Sequence, residues 1–306
     1  MNSTPDASLV QPRLRETVHR ANTWGLISGY AEQALLRELL LTPKPGLVDQ
    51  RNCGAHHDRD MQTLLASSRA VAEWFPRFVE IGQLSAHIPA SEFLSMLRPA
   101  GLLCEKAVLE ATCGVNTHKG AIFSLGLLCA AAGRLIDTST ALSSERICSE
   151  VANICVGLVD RELSAMQTPR TAGEHIYRRF GLAGARGQAA SGYEIVRTVA
   201  LPLFDDLRRA GVRENMALLQ VQLHLLAVND DTNLVSGGGL AGLHYVRYYA
   251  RKLLREGGAI GPGGVARMTA FDDALIECHL SPGGTAHLLA VTWFLVQFPR
   301  AAAGFN

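Results

Sequence analysis

The chain has 306 residues, 48% of them apolar, 19% charged and 6% aromatic, with 29 Lys and Arg against 28 Asp and Glu. A formal net charge of +1 argues against the broad basic face that displaces counterions from nucleic acid, and the high apolar content excludes disorder of the whole chain. A chain of this length buries roughly three quarters of its unfolded surface, and 43 Leu and 40 Ala against 11 Ile favour helices over strands.

In chain order, residues 1 to 22 lack a sustained apolar face and are expected to form a loosely ordered N-terminal arm, followed by a helical domain over 23–306 that carries the chemistry. Ile27, Ala31, Leu35 and Leu39 recur every four residues and predict a helix from Leu26 to Leu41. Thr42-Pro43-Lys44-Pro45-Gly46 ends it, because two prolines so close cannot continue a helix. Further helices are predicted over 61–81, 91–112, 120–136, 144–165, 188–210, 213–228, 240–256 and 284–298. Leu219 to Leu225 alternates like a half-buried strand, but no partner strand is evident and helix is favoured. Glu256–Gly264, with five glycines, is read as a loop within the domain rather than a boundary or lid. The fold expected is all-α, a single compact multi-helix domain whose glycine-rich interhelical loops form the active site.

Met1 to Ser8 has no signal-peptide pattern, and the apolar stretch Ala121–Gly133 is too short to span a bilayer. Seven scattered cysteines without C-x-x-C fit buried reduced thiols. A soluble cytoplasmic protein with neither nucleic acid nor membrane as partner is expected.

Polar residues gather at the helix ends. The first cluster holds Lys44, Asp49, His56, His57, Asp58 and Asp60, an ammonium suited to phosphate and carboxylates suited to Mg²⁺. In the second, Gly114-Val-Asn116-Thr117-His118-Lys119-Gly120, Asn116 or Thr117 can cap the next helix, whose start suits an anion beside Lys119 and His118. The third, Gly184-Ala-Arg186-Gly187, lets backbone approach a ligand that the guanidinium grips. The fourth, Asn229-Asp230-Asp231-Thr232-Asn233, is a dense run of oxygen ligands. The fifth, Ser281-Pro282-Gly283-Gly284-Thr285, reads as a helix start with Ser281 as cap and N–H groups open to phosphate. Asp272-Asp273 is expected on an exposed helix face, and histidines such as His279 and His287 as surface or core residues. Gly237 to Gly242 fits G-x-G-x-x-G literally, but no strand runs into it.

These motifs occur in an order that resembles the triphosphoribosyl-dephospho-coenzyme A synthase family: TPKPGLVD with GAHxDxD, GVNTHKGAIFSLGLL, GARGxAxSG, NDDTNL and SPGGTAHLLAVTWFL, over roughly residues 30 to 298. The resemblance implies an all-helical enzyme acting on ATP and 3′-dephospho-coenzyme A. The acceptor's ribose 2′-hydroxyl attacks C1 of the ATP ribose, adenine leaves, and the product is the prosthetic-group precursor of an acyl carrier protein, passed on to a carrier-protein transferase. Such enzymes serve malonate decarboxylase or citrate lyase. The H-H-D-R-D run, the Ala/Leu-rich character and the lack of an appended carrier-transferase domain look closer to the malonate branch.

For this chemistry Lys44, Lys119 and Arg186, helped by Asn116 and Ser281, are expected to hold the triphosphate, with Mg²⁺ on Asp49 and on Asp230 or Asp231. A carboxylate (Asp49 or Asp231) or His56 would accept the 2′-hydroxyl proton, and His118 would protonate adenine or contact phosphate. Homodimerisation is compatible with the sequence. Two rivals stand beside this reading: a Mg²⁺-dependent helical hydrolase of nucleotide phosphates or N-glycosidic bonds, and a non-catalytic helical adaptor.

Overall fold

A computed structural model describes residues 7–165 and 168–300, with side chains from Asn22 onward. Residues 1–6 of the expected arm, and the side chains of 7–21, lie outside the described residues.

The described chain is helical, with no strand, as composition implied. The elements are α1 (Ala7–Leu40), α2 (Met61–Ala72), α3 (Phe75–Leu84), α4 (Ala90–Ala111), α5 (Lys119–Leu135), α6 (Ser144–Ile154), α7 (Ala172–Phe180), α8 (Gly184–Ala190), α9 (Leu201–Arg209), α10 (Glu214–Val228), α11 (Thr232–Arg255), α12 (Gly264–Glu277) and α13 (Gly283–Leu295). Single π-helical turns occur at Asp160–Ser164 and Val196–Ala200. No described helix is long and apolar enough to cross a membrane.

Several boundaries differ from the sequence expectation for local reasons. The stretch 61–81 divides at Trp74, because Pro76 belongs to the first turn of a new helix. The stretch 188–210 starts earlier, at Gly184, and breaks at Gly192 (φ +60) and the π turn. α11 begins at Thr232 and is broken at Gly239, whose φ of 62° and ψ of −166° are not helical. α7 and α12 are additional helices. The alternating Leu219–Leu225 segment is helical because α10 is buried on nearly every side, so apolar residues cover all its faces and no amphipathic period shows.

The core is built on α5, α10 and α13, each largely buried along its length. α13 packs against α1, α10 and α5, while α3 lies along α5. The α3–α5 approach is close because Gly82 and Gly133 have no side chain there. A Cβ on either would overlap a carbonyl oxygen of the opposite helix, that of Ala130 or of Val79. Buried on all sides, α5 and α13 bring their N-terminal ends, and the loops leading into them, to one region. The glycine-rich 256–264 segment is fixed in place: Ala259 is buried and its N–H donates to Gln220 of α10 at 2.8 Å.

Candidate active site

The loop after α1 is a rigid, internally bonded turn. Lys44 is only 2% exposed, and its Nζ lies 2.7 Å from Glu38 Oε1 on the last turns of α1. Asp49, also 2% exposed, accepts from the backbone N–H groups of Lys44, Arg51 and Asn52 at 2.9, 2.7 and 3.2 Å. The loop is pinned to α12 by Asp272, which is fully buried and accepts from Gly46 N–H, Arg51 and Asn52 at 2.9, 2.9 and 2.8 Å. This corrects the expectation of an exposed carboxylate pair: Asp273 is exposed, whereas Asp272 is an anchor whose pKa burial pushes up against those hydrogen bonds. Gly46, at φ +71°, is needed where the loop crosses the Leu280 carbonyl.

The Gly114–Gly120 segment delivers His118 to the start of α5. His118 is buried and its Nδ1 lies 2.5 Å from Ser67 Oγ on α2, which also meets Thr117 Oγ1. Burial first, then the nearby charges of His287, Lys44 and Arg59, pushes the His118 pKa down to about 3. His287 is likewise pushed down to about 4 by burial, and a Cβ on Gly120 would overlap its ring. Two neutral imidazoles thus sit at the mouth of α5. The expected side-chain cap is not made: His118 holds the N-cap position without a capping bond, Thr117 is turned to Ser67, and the Asn116 carbonyl accepts from Arg59 at 2.9 Å. The first turn of α5 therefore keeps its positive end uncompensated by any side chain.

His56 reaches the opposite wall, with Nε2 2.8 Å from Ser281 Oγ and Nδ1 3.9 Å from the Asp58 carboxylate. Burial and the charge on Arg59 lower its pKa, so it too is neutral at physiological pH. Ser281 is spent on this contact and does not cap α13. That end is instead capped by Asp231, 1% exposed, which accepts from Gly284 N–H and Thr285 N–H at 3.2 and 2.7 Å, from the Thr285 hydroxyl at 2.9 Å and from Asn233 N–H at 3.0 Å. The N–H groups of Gly284 and Thr285, expected to be open to phosphate, already hold a carboxylate. Asn229 adds a bond to Thr285 and one from Gln188 of α8, and Gly184 of the same helix abuts Thr232. Segments 42–60, 114–120, 184–188, 229–233 and 281–287, distant in sequence, are thereby joined around the N-termini of α5 and α13.

Two of the expected phosphate-binding cations point elsewhere than toward Lys44. Lys119, 62% exposed, pairs with Glu105 of α4 at 3.1 Å. Arg186 pairs with Glu162 at 2.9 Å beside a cavity of about 380 Å³. Asp230 turns outward to Arg247 at 2.7 Å. The carboxylates expected to hold Mg²⁺ do not fit that ion as placed: both oxygens of Asp49 and of Asp231 take hydrogen-bond donors, and Asp230 takes a guanidinium. Among the described residues, no group of three or more His, Cys, Asp or Glu side chains is arranged as a metal site. Glu38 and Ser67 lie outside every motif, while Arg59, Asp272 and His287 stand in runs that sequence reasoning noted without their roles; neighbours in space reveal what each of the five does.

The sequence profile described as CitG, ATP:dephospho-CoA triphosphoribosyl transferase, matches residues 25–304. A 2-(5''-triphosphoribosyl)-3'-dephosphocoenzyme-A synthase from Klebsiella pneumoniae is 52% identical over 272 residues, covering 89% of this chain and 90% of that protein. A protein of the same name from Escherichia fergusonii is 50% identical, covering 90% of this chain and 91% of its own. A relative from Salmonella gallinarum, named as a probable synthase of this type, is 51% identical with 91% and 92% covered. No solved structure matches the chain. With half of its residues shared across nine tenths of its length, the chain belongs to the ATP:dephospho-CoA triphosphoribosyl transferase family.

Proposed function

We propose that this enzyme transfers the 5-triphosphoribosyl group of ATP to the ribose 2′-hydroxyl of 3′-dephospho-coenzyme A, releasing adenine. The observation that carries the reading is that five motif segments are joined around the starts of α5 and α13, with His118 at the uncapped start of α5 standing among Lys44, Arg59 and His287. Cleaving the N-glycosidic bond builds positive charge on the ribose and negative charge on adenine. A positioned triphosphate leaves binding energy available for distortion at the ribose. Neutral His56, beside Ser281, is suited to accept the acceptor's 2′-hydroxyl proton. His118 is too weakly basic to carry a proton at rest, and a bound polyanion favours its charged form, so its role as proton donor to adenine begins with ATP binding. Mg²⁺ belongs in this reading to the phosphates of ATP, with water as its other partner, rather than to a cage of the chain's aspartates.

The test is mass spectrometry of the full chain incubated with ATP, Mg²⁺ and dephospho-coenzyme A. Free adenine together with the triphosphoribosyl adduct, both dependent on the acceptor, is the expected result. Adenine or phosphate released equally without acceptor would make the enzyme a hydrolase instead. We assign the product to the malonate decarboxylase carrier protein, on the H-H-D-R-D run at His56 to Asp60 and the Ala/Leu-rich character. Preferential loading of a citrate lyase carrier by the cognate transferase would reverse that assignment.

A further inference from the structure

Arg186 does not act alone. The cavity of about 380 Å³ beside it is lined by Arg98 of α4, Arg161 and Glu162 of the first π turn, Ala165, Glu174 of α7 and Arg186 of α8. Four separate elements thus line one site, and three of them each supply a guanidinium. Glu162 sits between two of them, receiving Arg98 on Oε1 and Arg186 on Oε2. Although burial opposes it, these hydrogen bonds hold the Glu162 carboxyl below the usual range, so it is a firm anion. Glu174 is 4.0 Å from Arg186 but already accepts from the backbone N–H groups of Arg170 and Thr171 at the start of α7. Arg161 donates to the Val156 carbonyl and has no carboxylate partner of its own in the cavity. A π turn widens the helix by one residue, and such turns concentrate at functional sites; Arg161 and Glu162 of this turn both line the cavity.

The cavity lies next to the polar seam described above. α8 carries Arg186 between Gly184, which abuts Thr232, and Gln188, which bonds Asn229. Toward α5 the link is α4. Arg98 and Glu105, two turns apart on one face, are separated by about 10 Å along the axis, and Glu105 holds Lys119 at the start of α5. One face of α4 thus connects the three-arginine cavity, through Arg98, with Lys119 at the uncapped start of α5. Lys44, near that end, is buried and held by Glu38.

We propose that Arg98, Arg161 and Arg186 form the subsite for the triphosphate tail of ATP, with Glu162 as the resident counter-charge that holds the guanidiniums in place until the polyanion arrives. The inference rests on the proposed transferase reading and adds to it two positions that no motif contains, Arg98 and Arg161. Forked guanidiniums match phosphate oxygens in a way that a lysine point charge does not. The ribose and adenine then extend along α4 toward His118.

The experiment uses inorganic tripolyphosphate as a direct binding probe, alongside steady-state kinetics of the full chain. Arg98→Ala and Arg161→Ala should each weaken tripolyphosphate binding and raise the KM for ATP by about tenfold or more, the loss of one charge-assisted contact. The KM for dephospho-coenzyme A should stay within about twofold. Arg161→Ala guards against a merely structural explanation, because Arg161 anchors no carboxylate and its removal spares the Arg98–Glu162–Arg186 linkage. Unchanged tripolyphosphate affinity and unchanged ATP KM in a folded Arg161→Ala protein would overturn the subsite. A wild-type protein that binds tripolyphosphate through these arginines yet forms no adduct would sink the transferase reading and leave the subsite standing. Adduct formation with insensitive arginine variants would do the reverse.

Discussion

Replacing Asp231 by Asn separates a structural carboxylate from a catalytic one. Asp231 takes two donors on Oδ1, Asn233 N–H and Gly284 N–H, and two on Oδ2, Thr285 N–H and the Thr285 hydroxyl. An amide has only one acceptor oxygen. Turned to keep the first pair, it sets its NH₂ against the Thr285 N–H; the hydroxyl can rotate away, but the backbone donor cannot. One buried N–H left unpaired costs about 1–3 kcal/mol. Losing the negative charge at the first turn of α13 adds about 0.3–1 kcal/mol, part of which is returned because burial already disfavours the charged form. The total is about 1–4 kcal/mol, or a fall in Tm of roughly 2–8 °C at about 2 °C per kcal/mol for a chain of this size. Calorimetry gives the stability, and turnover at a temperature where both proteins are fully folded gives the chemistry. The structure predicts lost stability with less than about a tenfold loss in kcat, under 1.4 kcal/mol of barrier. An Asp231→Asn protein as stable as wild type but catalytically dead would refute the capping argument and return Asp231 to the chemistry.

Acid should unfold this protein through its histidines. His118 and His287 have folded pKa values of about 3 and about 4 against 6.5 for the unconstrained side chain. The unfolded state therefore binds more protons, and stability falls as pH drops below about 6.5, by up to about 1.4 kcal/mol per pH unit for each histidine. Urea midpoints at pH 7 and pH 5 should show it, and the slope should flatten in His118→Asn and His287→Asn; the same slope in both variants contradicts the assignment. Lys44→Met strands Glu38 as a buried lone charge and should cost about 3–5 kcal/mol, with Glu38→Gln recovering much of it in the double variant; a single-variant cost below about 1 kcal/mol would place the pair in water instead. Gly120→Ala drives a methyl into the His287 ring and should cost about 1–3 kcal/mol, reduced when combined with His287→Ala. Purely additive effects would mean the two positions do not touch.

The helices with one apolar stripe were legible in the sequence, and those whose burial or punctuation differs were less so. α1 shows its four-residue repeat because one face is buried, whereas α10 hides its period by being buried on most sides. α7 carries a local signal of its own: Thr171 and Glu174 form a reciprocal capping box, and Gly181 ends the helix in the left-handed region. The motif loops were also legible as positions of interest, but their roles were not. Nothing in the order Ser281-Pro282-Gly283 says that Ser281 turns to His56 and leaves the cap to a carboxylate fifty residues upstream. The exposed-pair reading of Asp272-Asp273 failed for the same reason: two adjacent residues on a helix face different directions, and only the docked loop decides which is buried. Site partners such as Ser67 and His287 lie outside the polar clusters because a buried helix position needs only one polar side chain to supply a contact.

The near-zero net charge has a local counterpart with consequences for binding. Lys44 faces Glu38, Arg51 faces Asp272, Arg59 faces Asp58, Lys119 faces Glu105 and Arg186 faces Glu162. These cations are fixed in place by carboxylates, so little side-chain entropy remains to be lost when a ligand arrives. The pairs are not equivalent, however. Lys44 and Asp272 are buried, and separating either from its partner would leave an uncompensated charge in the interior. Lys119 and Arg186 are partly exposed, where an ion pair is worth about 0–1 kcal/mol and exchange of a carboxylate for a phosphate is inexpensive. In the proposed reading the buried pairs therefore belong to the scaffold, and polyanion binding falls to the exposed ones. In the proposed reaction the charge of a bound polyanion raises the proton affinity of His118 only while ATP is present, which would couple the proton needed by departing adenine to occupancy of the phosphate site.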